Sequence, residues 1–163
     1  MGKKYRRNIS RRTMGDKSIK NVLQSAGALI FCQTTNRYLF VLRNGSSYSG
    51  SWGLVGGKIN KDESVYAGLI REIVEEIGVD LSDNKVMPLE KFTSDDNSFE
   101  YHTFFICVDS EFIPTLNDEH SGYCWVPIKD YPKPLHPGLH RTISFEKVME
   151  KLMVLSKVMS IEF

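Results

Sequence analysis

Long apolar runs are missing from this chain. None approaches the ~20 residues that a membrane-spanning helix needs, so no bilayer span is expected. Cysteine is scarce: Cys32, Cys107 and Cys124 form no CxxC pair, are odd in number and each stand in a strand-like apolar run. That argues against a zinc site or a disulfide framework, and for buried free thiols in a reducing, cytoplasmic compartment. The basic opening residues are followed by no apolar stretch, so a secretory signal is not expected. Net charge is slight, at +1, and no internal repeat or low-complexity segment interrupts the chain. What is present is ordinary. With 163 residues, 41% hydrophobic and 25% charged, the composition suits one soluble globular domain with a full core.

The small net charge conceals a division. Residues 1–20 carry eight Lys or Arg against Asp16 alone, leaving 13 basic and 19 acidic side chains for the remainder. A basic arm over 1–22 and a domain over 23–163 are therefore expected. The arm shows no sustained period. It reads either as a solvated leader or as an electrostatic tether to RNA or DNA phosphates, and the scarcity of aromatics beyond Tyr5 favours the leader.

Residues 25–32 and 37–43 read as a β-hairpin, and 52–59 as a third strand after a Gly/Ser-rich loop. Residues 86–92 and 100–108 form a second strand pair around the turn 94–98, and 122–126 a further strand. Four prolines between 127 and 137 preclude a regular helix there, and 138–156 has amphipathic helical spacing. The order β-β-β-α-β-β-β-α suggests an α+β sandwich.

The first helical segment, near 64–77, is the informative one. Ser64 suits its N-cap, and Gly78 its C-terminal left-handed position. Offsets of three and four bring Glu72, Glu75 and Glu76 onto one face, with Val65 and Leu69 leaning toward it. Tyr66, Ile70, Ile73, Val74 and Ile77 mark the opposite side as core. Like charges so spaced repel by a few tenths of a kcal/mol per pair, about 0.2–0.5. A divalent cation relieves that repulsion. Hard oxygen ligands suit Mg²⁺ or Mn²⁺, and Gly56-Gly57 permits close approach of backbone carbonyls. The bland alternative is a solvated acidic helix face.

Gly57, Glu63, Arg71-Glu72, Ile73, Glu75-Glu76, Gly78 and Val79 reproduce, with both spacers intact, the pattern of the Nudix box. On these nine positions over 23 residues the chain resembles the Nudix hydrolases, which act on nucleoside diphosphates linked to another group. The resemblance departs at Val55, where the family often has proline. It implies an α/β/α sandwich with a mixed β-sheet. It further implies Glu75 and Glu76 as metal ligands, Glu72 as ligand or proton acceptor, the Gly56 carbonyl as a further ligand, and Glu63 and Arg71 as residues orienting the box. Mg²⁺ is the implied cofactor, with Mn²⁺ able to substitute.

The general base varies across the family. Here Glu119 is the candidate, as base or extra ligand or as an ordinary exposed acid, with His120 beside it. His136 and His140 read as loop residues and His102 as a strand histidine. Arg43 reads as a phosphate contact or a surface ion pair, and Lys58 joins it as a substrate-binding candidate. Tyr48 and Trp52, with Phe99, Tyr101 and Tyr123, are placed to stack on a base or to pack the core. The implied reaction is metal-assisted hydrolysis of a pyrophosphate bond, leaning to ADP-ribose, dinucleoside polyphosphates, NADH or FAD. Alternatives are a capped or NAD-capped RNA end recruited by the basic arm, a nucleoside triphosphate, or a non-catalytic nucleotide sensor. The retention of all four box glutamates weighs against the sensor. A homodimer is compatible with the resemblance.

Overall fold

The computed structural model describes residues 21–45 and 47–160. The basic arm therefore lies outside the described residues apart from its last two positions. The elements are β1 (Leu23–Cys32), β2 (Arg37–Arg43), β3 (Trp52–Gly53), β4 (Val55–Lys58), α1 (Val65–Ile77), β5 (Lys85–Thr93), β6 (Phe99–Val108), β7 (His120–Val126), α2 (Pro137–Ser144) and α3 (Glu146–Met159), with a short 3₁₀ turn at Ile128–Asp130.

β1 is the centre of a mixed sheet. It runs parallel to β6 along its whole length, while its other edge is shared by β4 and β2, both antiparallel. β5 pairs with β6, and β7 and β3 pair with β2. Residues of β1 are buried on both sides, as a strand covered by helices on each face requires. Ala26, Ala28, Ile30 and Cys32 join the core under α1, where Leu69, Ile73 and Ile77 are fully buried. Leu29 and Phe31 join the second core under α2 and α3, with Tyr38, Phe105, Leu139 and Leu152. Its centre is an aromatic group in which the Phe31 ring lies 5.0 Å from Tyr38 and 5.5 Å from Phe105. The architecture is α+β, helices on both faces of a mixed sheet. Among the described residues no helix is long and apolar enough to cross a membrane, and all three cysteines are free thiols.

Three details differ from expectation. On α1, Tyr66 and Val74 are 43% exposed, whereas Leu69 and the carboxylate-bearing Glu76 are buried. The core stripe is therefore rotated toward the acidic face, because Glu76 turns inward under the sheet edge. The strand expected over 52–59 is two strands, since β3 follows β2 while β4 crosses to β1. The last helix is also two. Phe145 takes extended dihedrals, φ −78° and ψ 116°, and the resulting bend lets Ile143 of α2 and Val148 of α3 face one core. α2 begins inside the proline stretch, with Pro137 in its first turn, where a missing N–H costs nothing. His136 and His140 are accordingly a helix cap and a helical residue rather than loop residues.

Glu100 ties the parallel pair together. It accepts from Gln24 Nε2 of β1 at 2.9 Å and pairs with Lys91 Nζ of β5 at 2.7 Å, with His102 Nε2 at 3.3 Å. Lys91 first, then Gln24, hold its carboxyl down to about 2, from 4.5. A depressed folded-state pKa gives stability that is present above about pH 4.5 and lost as pH falls toward 2. Glu100→Gln is therefore expected to melt less steeply with falling pH across that window than the wild type. Parallel melting-temperature curves for the two proteins would contradict this role.

Candidate active site

The site is built where α1 faces the end of β4. Ser64 caps α1 by accepting from the Ala67 N–H at 3.1 Å, and Gly78 closes it at φ 70° with its N–H donated to Val74. The loop before β7 is laced to the same helix end, Thr115 N–H donating to the Ile77 carbonyl and Asn117 N–H to that of Glu76. This lacing carries Glu119 into the electrostatic field of Glu72 and Glu76.

Arg71 is the hub. Its guanidinium grips Glu63 through Nη2 at 2.6 Å and Nε at 3.1 Å, and through Nη1 it reaches Glu72 at 2.8 Å and Glu75 at 3.2 Å. Nη2 also donates to the Lys58 carbonyl at 2.9 Å, which fastens the helix to β4. Glu63 accepts the Asn60 N–H at 2.8 Å, and the Arg71 bonds hold its carboxyl down to about 2. Ionised throughout the neutral range, Glu63 is a fixed counter-charge for Arg71.

Glu76 behaves differently. It is 3% exposed, and its Oε2 accepts the Gly56 N–H at 2.9 Å. Burial pushes its carboxyl up to about 8, with the charges of Glu72 and Glu119 adding to the rise and the Gly56 N–H and Arg43 opposing it. Glu72 is raised too, by burial first, against the pull of Arg71. Three carboxylates thus face one another with too little positive charge between them. The donor chemistry, all hard oxygen, fits a divalent cation. Yet among the described residues no three His, Cys, Asp or Glu side chains are gathered at ligand spacing, because Arg71 holds Glu72 and Glu75 while Gly56 holds Glu76.

Beside β4 a cavity of about 360 Å³ opens across the α2 face of the sheet. In the order of the strands, its lining runs from Arg43 of β2 and Gly56 and Lys58 of β4, through Phe99 and Tyr101 of β6, to Phe92 of β5, whose ring Arg141 covers. The Tyr101 phenol is pushed up by burial and by nearby Glu76, so it remains a donor. Arg43 forms no salt bridge among the described residues. Its Nε donates to the Ser47 carbonyl at 3.2 Å, and its charge reaches both Glu76 and His136.

The candidates from the sequence therefore divide. Glu63, Arg71, Glu72, Glu75 and Glu76 are brought together with Gly56, Glu119 stands exposed at their edge, and Arg43 and Lys58 line the adjoining cavity. Trp52 is placed elsewhere, packed against the second core rather than on the cavity wall, because its backbone is tied to Pro134 and His136. Tyr48 is 56% exposed and meets only the mouth, its ring edge-on to His136 at 4.6 Å. His120 is buried, and its Nδ1 has no hydrogen-bond partner among the described residues. Glu90 and Arg141 on the cavity wall escaped the sequence reading. The alternation of Glu90 and Phe92 on one strand was the available signal for the first.

Comparison with known proteins agrees with this geometry. The family profile described as NUDIX domain matches residues 23–145. Dihydroneopterin triphosphate diphosphatase of Haemophilus influenzae is 31% identical over 121 residues, covering 65% of this chain and 75% of that protein. The m7GpppN-mRNA hydrolase of Saccharomyces cerevisiae is 32% identical over 128 residues, 72% of this chain but only 12% of that protein. Among solved structures, the NUDIX domain of Shewanella oneidensis NrtR complexed with ADP ribose superposes with a TM-score of 0.66 at 22% identity, covering 83% of this chain and 92% of that one.

The two glycines at the site are expected to fail differently. At Gly56, φ is 150° and a Cβ would run into the Ala26 carbonyl, whereas at Gly57 a Cβ would meet the Glu72 carboxylate at 2.5 Å. Gly56→Ala should lower stability, by about 1–3 kcal/mol for the strained backbone alone. Gly57→Ala should fold nearly as the wild type and displace only Glu72. Urea unfolding of the two variants checks this, and equal losses of stability would contradict it.

Proposed function

The chain belongs to the Nudix family, hydrolases that act on pyrophosphate bonds of nucleotides, and from that premise we propose a division of labour among its residues. The Glu72, Glu75 and Glu76 carboxylates and the Gly56 carbonyl would hold a divalent cation, Mg²⁺ or Mn²⁺. Such an ion supplies neutralisation of phosphate charge and a more acidic water. Glu119, exposed to solvent and already in the field of Glu72 and Glu76, takes the proton from the attacking water. Arg43 and Lys58 bind the phosphates, and Tyr101 donates toward them from the sheet. Glu63 and Arg71 position Glu72 and fasten α1 to β4 without entering the chemistry.

One observation supports this reading above the others. A carboxyl group 3% exposed is held on a backbone amide, crowded by two further carboxylates, beside a cavity whose nearest wall is cationic. A purely structural residue at that position would be apolar. The bond attacked would lie in a nucleoside diphosphate linked to another moiety, the class that includes ADP-ribose, dinucleoside polyphosphates, NADH and FAD. A cavity of about 360 Å³ holds one heterocycle of such a compound, the second half lying outside over the mouth near Tyr48.

A second reading has its own observation. The similarity to an mRNA-cap hydrolase, together with eight basic residues in positions 1–20, supports a 5′-end of RNA as substrate, recruited by the arm. Deleting residues 1–22 should then weaken RNA binding and flatten its dependence on salt; an unchanged salt slope would remove the arm from recognition.

The catalytic assignment has a direct test. In a panel of nucleoside diphosphate compounds with Mg²⁺ or Mn²⁺, products read by mass, Glu76→Gln is expected to lower turnover by about 10²-fold with the fold unchanged. Unaltered turnover would take Glu76 out of the site.

A further inference from the structure

His136 lines the cavity and has no part in the chemistry assigned above. It is fixed on several sides. Its backbone N–H donates to the Trp52 carbonyl at 2.8 Å, and its own carbonyl accepts the His140 N–H at 2.9 Å. Nδ1 accepts the Gly138 N–H at 3.1 Å, which caps α2, and the ring meets Tyr48 edge-on at 4.6 Å. The other ring nitrogen, Nε2, makes no hydrogen bond among the described residues and is reachable from solvent. Only a bare nitrogen can accept an N–H, so the neutral ring carries its proton on Nε2.

The surroundings keep it in that form. Burial first, then the Arg43 guanidinium, hold its pKa below the usual histidine value. A proton on Nδ1 would also face the Gly138 N–H and break the cap at the positive end of α2. A neutral donor can stand beside Arg43 where a second cation would be repelled. The loop over 47–51 holds both groups. Arg43 Nε donates to the Ser47 carbonyl at 3.2 Å, while Tyr48 packs on the imidazole. Tyr48 does so from the left-handed region, at φ 52°, where a bulky residue is strained. Its carbonyl is pinned there by the Ser51 hydroxyl at 2.6 Å and the Ser51 N–H at 3.1 Å. Such strain persists only where the surroundings impose it, and here it keeps an exposed aromatic ring against one imidazole.

Given the phosphoanhydride reading above, on which this rests, we propose that His136 binds the substrate, its Nε2–H donating to a non-bridging phosphate oxygen beside Arg43. The two donors differ in what they supply. Arg43 brings charge, and His136 brings direction, because its ring is locked at Nδ1. His136 stands at the start of α2, which covers the opposite face of the sheet from α1. Substitution there leaves the carboxylate cluster intact.

Nitrogen-15 NMR of the histidine rings in the full chain reads the tautomer directly, because protonated and bare ring nitrogens resonate far apart. The signal is identified by its loss in His136→Ser, a variant whose hydroxyl still caps the helix. His136 should show a bare Nδ1 and a protonated Nε2. Inorganic pyrophosphate, added in EDTA and again with Mg²⁺, should shift the Nε2 signal. In calorimetry His136→Ser should bind pyrophosphate at least about tenfold more weakly, the usual loss for a hydrogen bond to a charged group, with its melting temperature near that of the wild type. A proton on Nδ1, an Nε2 signal unmoved by pyrophosphate, or equal affinity in His136→Ser would overturn the proposal. Hydrolysis across the nucleotide panel separates the two readings. Turnover by the wild type, with pyrophosphate affinity unchanged in His136→Ser, would sink the His136 assignment alone. Pyrophosphate binding that depends on His136, without hydrolysis of any nucleotide, would sink the hydrolase reading and leave the His136 assignment standing.

Discussion

One guanidinium sets the form of this site. Arg71 binds Glu63 twice, touches Glu72 and Glu75, and reaches the Lys58 carbonyl, so a single planar cation joins the start of the box, the helix and the strand before it. Its fork of fixed donors makes this feasible; a lysine ammonium has the charge without the geometry. The consequence is that the box is rigid at Glu63 and Arg71, while Glu72, Glu75 and Glu76 retain donor oxygens for another cation. Scaffold and reacting groups are neighbours in sequence and differ in what holds them.

The second constraint is the end of β4. β1 has two halves on one edge, pairing with β4 as far as Ala28 opposite Val55 and then with β2 from Ile30, and next to Val55, inside the β4 ladder, Gly56 adopts a backbone conformation that other residues resist. That conformation turns the Gly56 N–H onto Glu76. Gly56 and Gly57 thus stand against Glu76 and Glu72 of α1 while also lining the cavity under α2. The proposed chemistry needs this junction. A pyrophosphate lies between the metal ligands and the heterocycle only if both faces open on the same edge.

Much of this was legible in the residues. The spacing of Glu63, Arg71, Glu72, Glu75 and Glu76 gave the cluster, Ser64 and Gly78 gave the ends of α1, and the apolar run of β1 gave a strand buried on both faces. Other features depend on tertiary placement that no periodicity encodes. Glu76 is a charged residue by type and a core residue by position, so a helical wheel assigns its side wrongly. Trp52 by type suits either stacking on a base or packing the core, and its backbone bonds to the proline stretch place it with the second core. Alternation puts Glu90 on one face with Phe92, but which face that is follows from the bulge between Pro88 and Glu90, and Arg141 comes from a helix much later in the chain. Long-range pairing decided these positions.

The central claim is that the acidic knot beside Gly56 exists to hold a divalent cation against a nucleotide's phosphates. Diffraction at the manganese edge from crystals grown with Mn²⁺ and a non-hydrolysable nucleotide tests it most directly. The account predicts an anomalous peak within ligand distance of Glu72, Glu75 or Glu76, with Arg71 still bound to Glu63. A nucleotide bound without that peak, or with the metal at some other place, would contradict it.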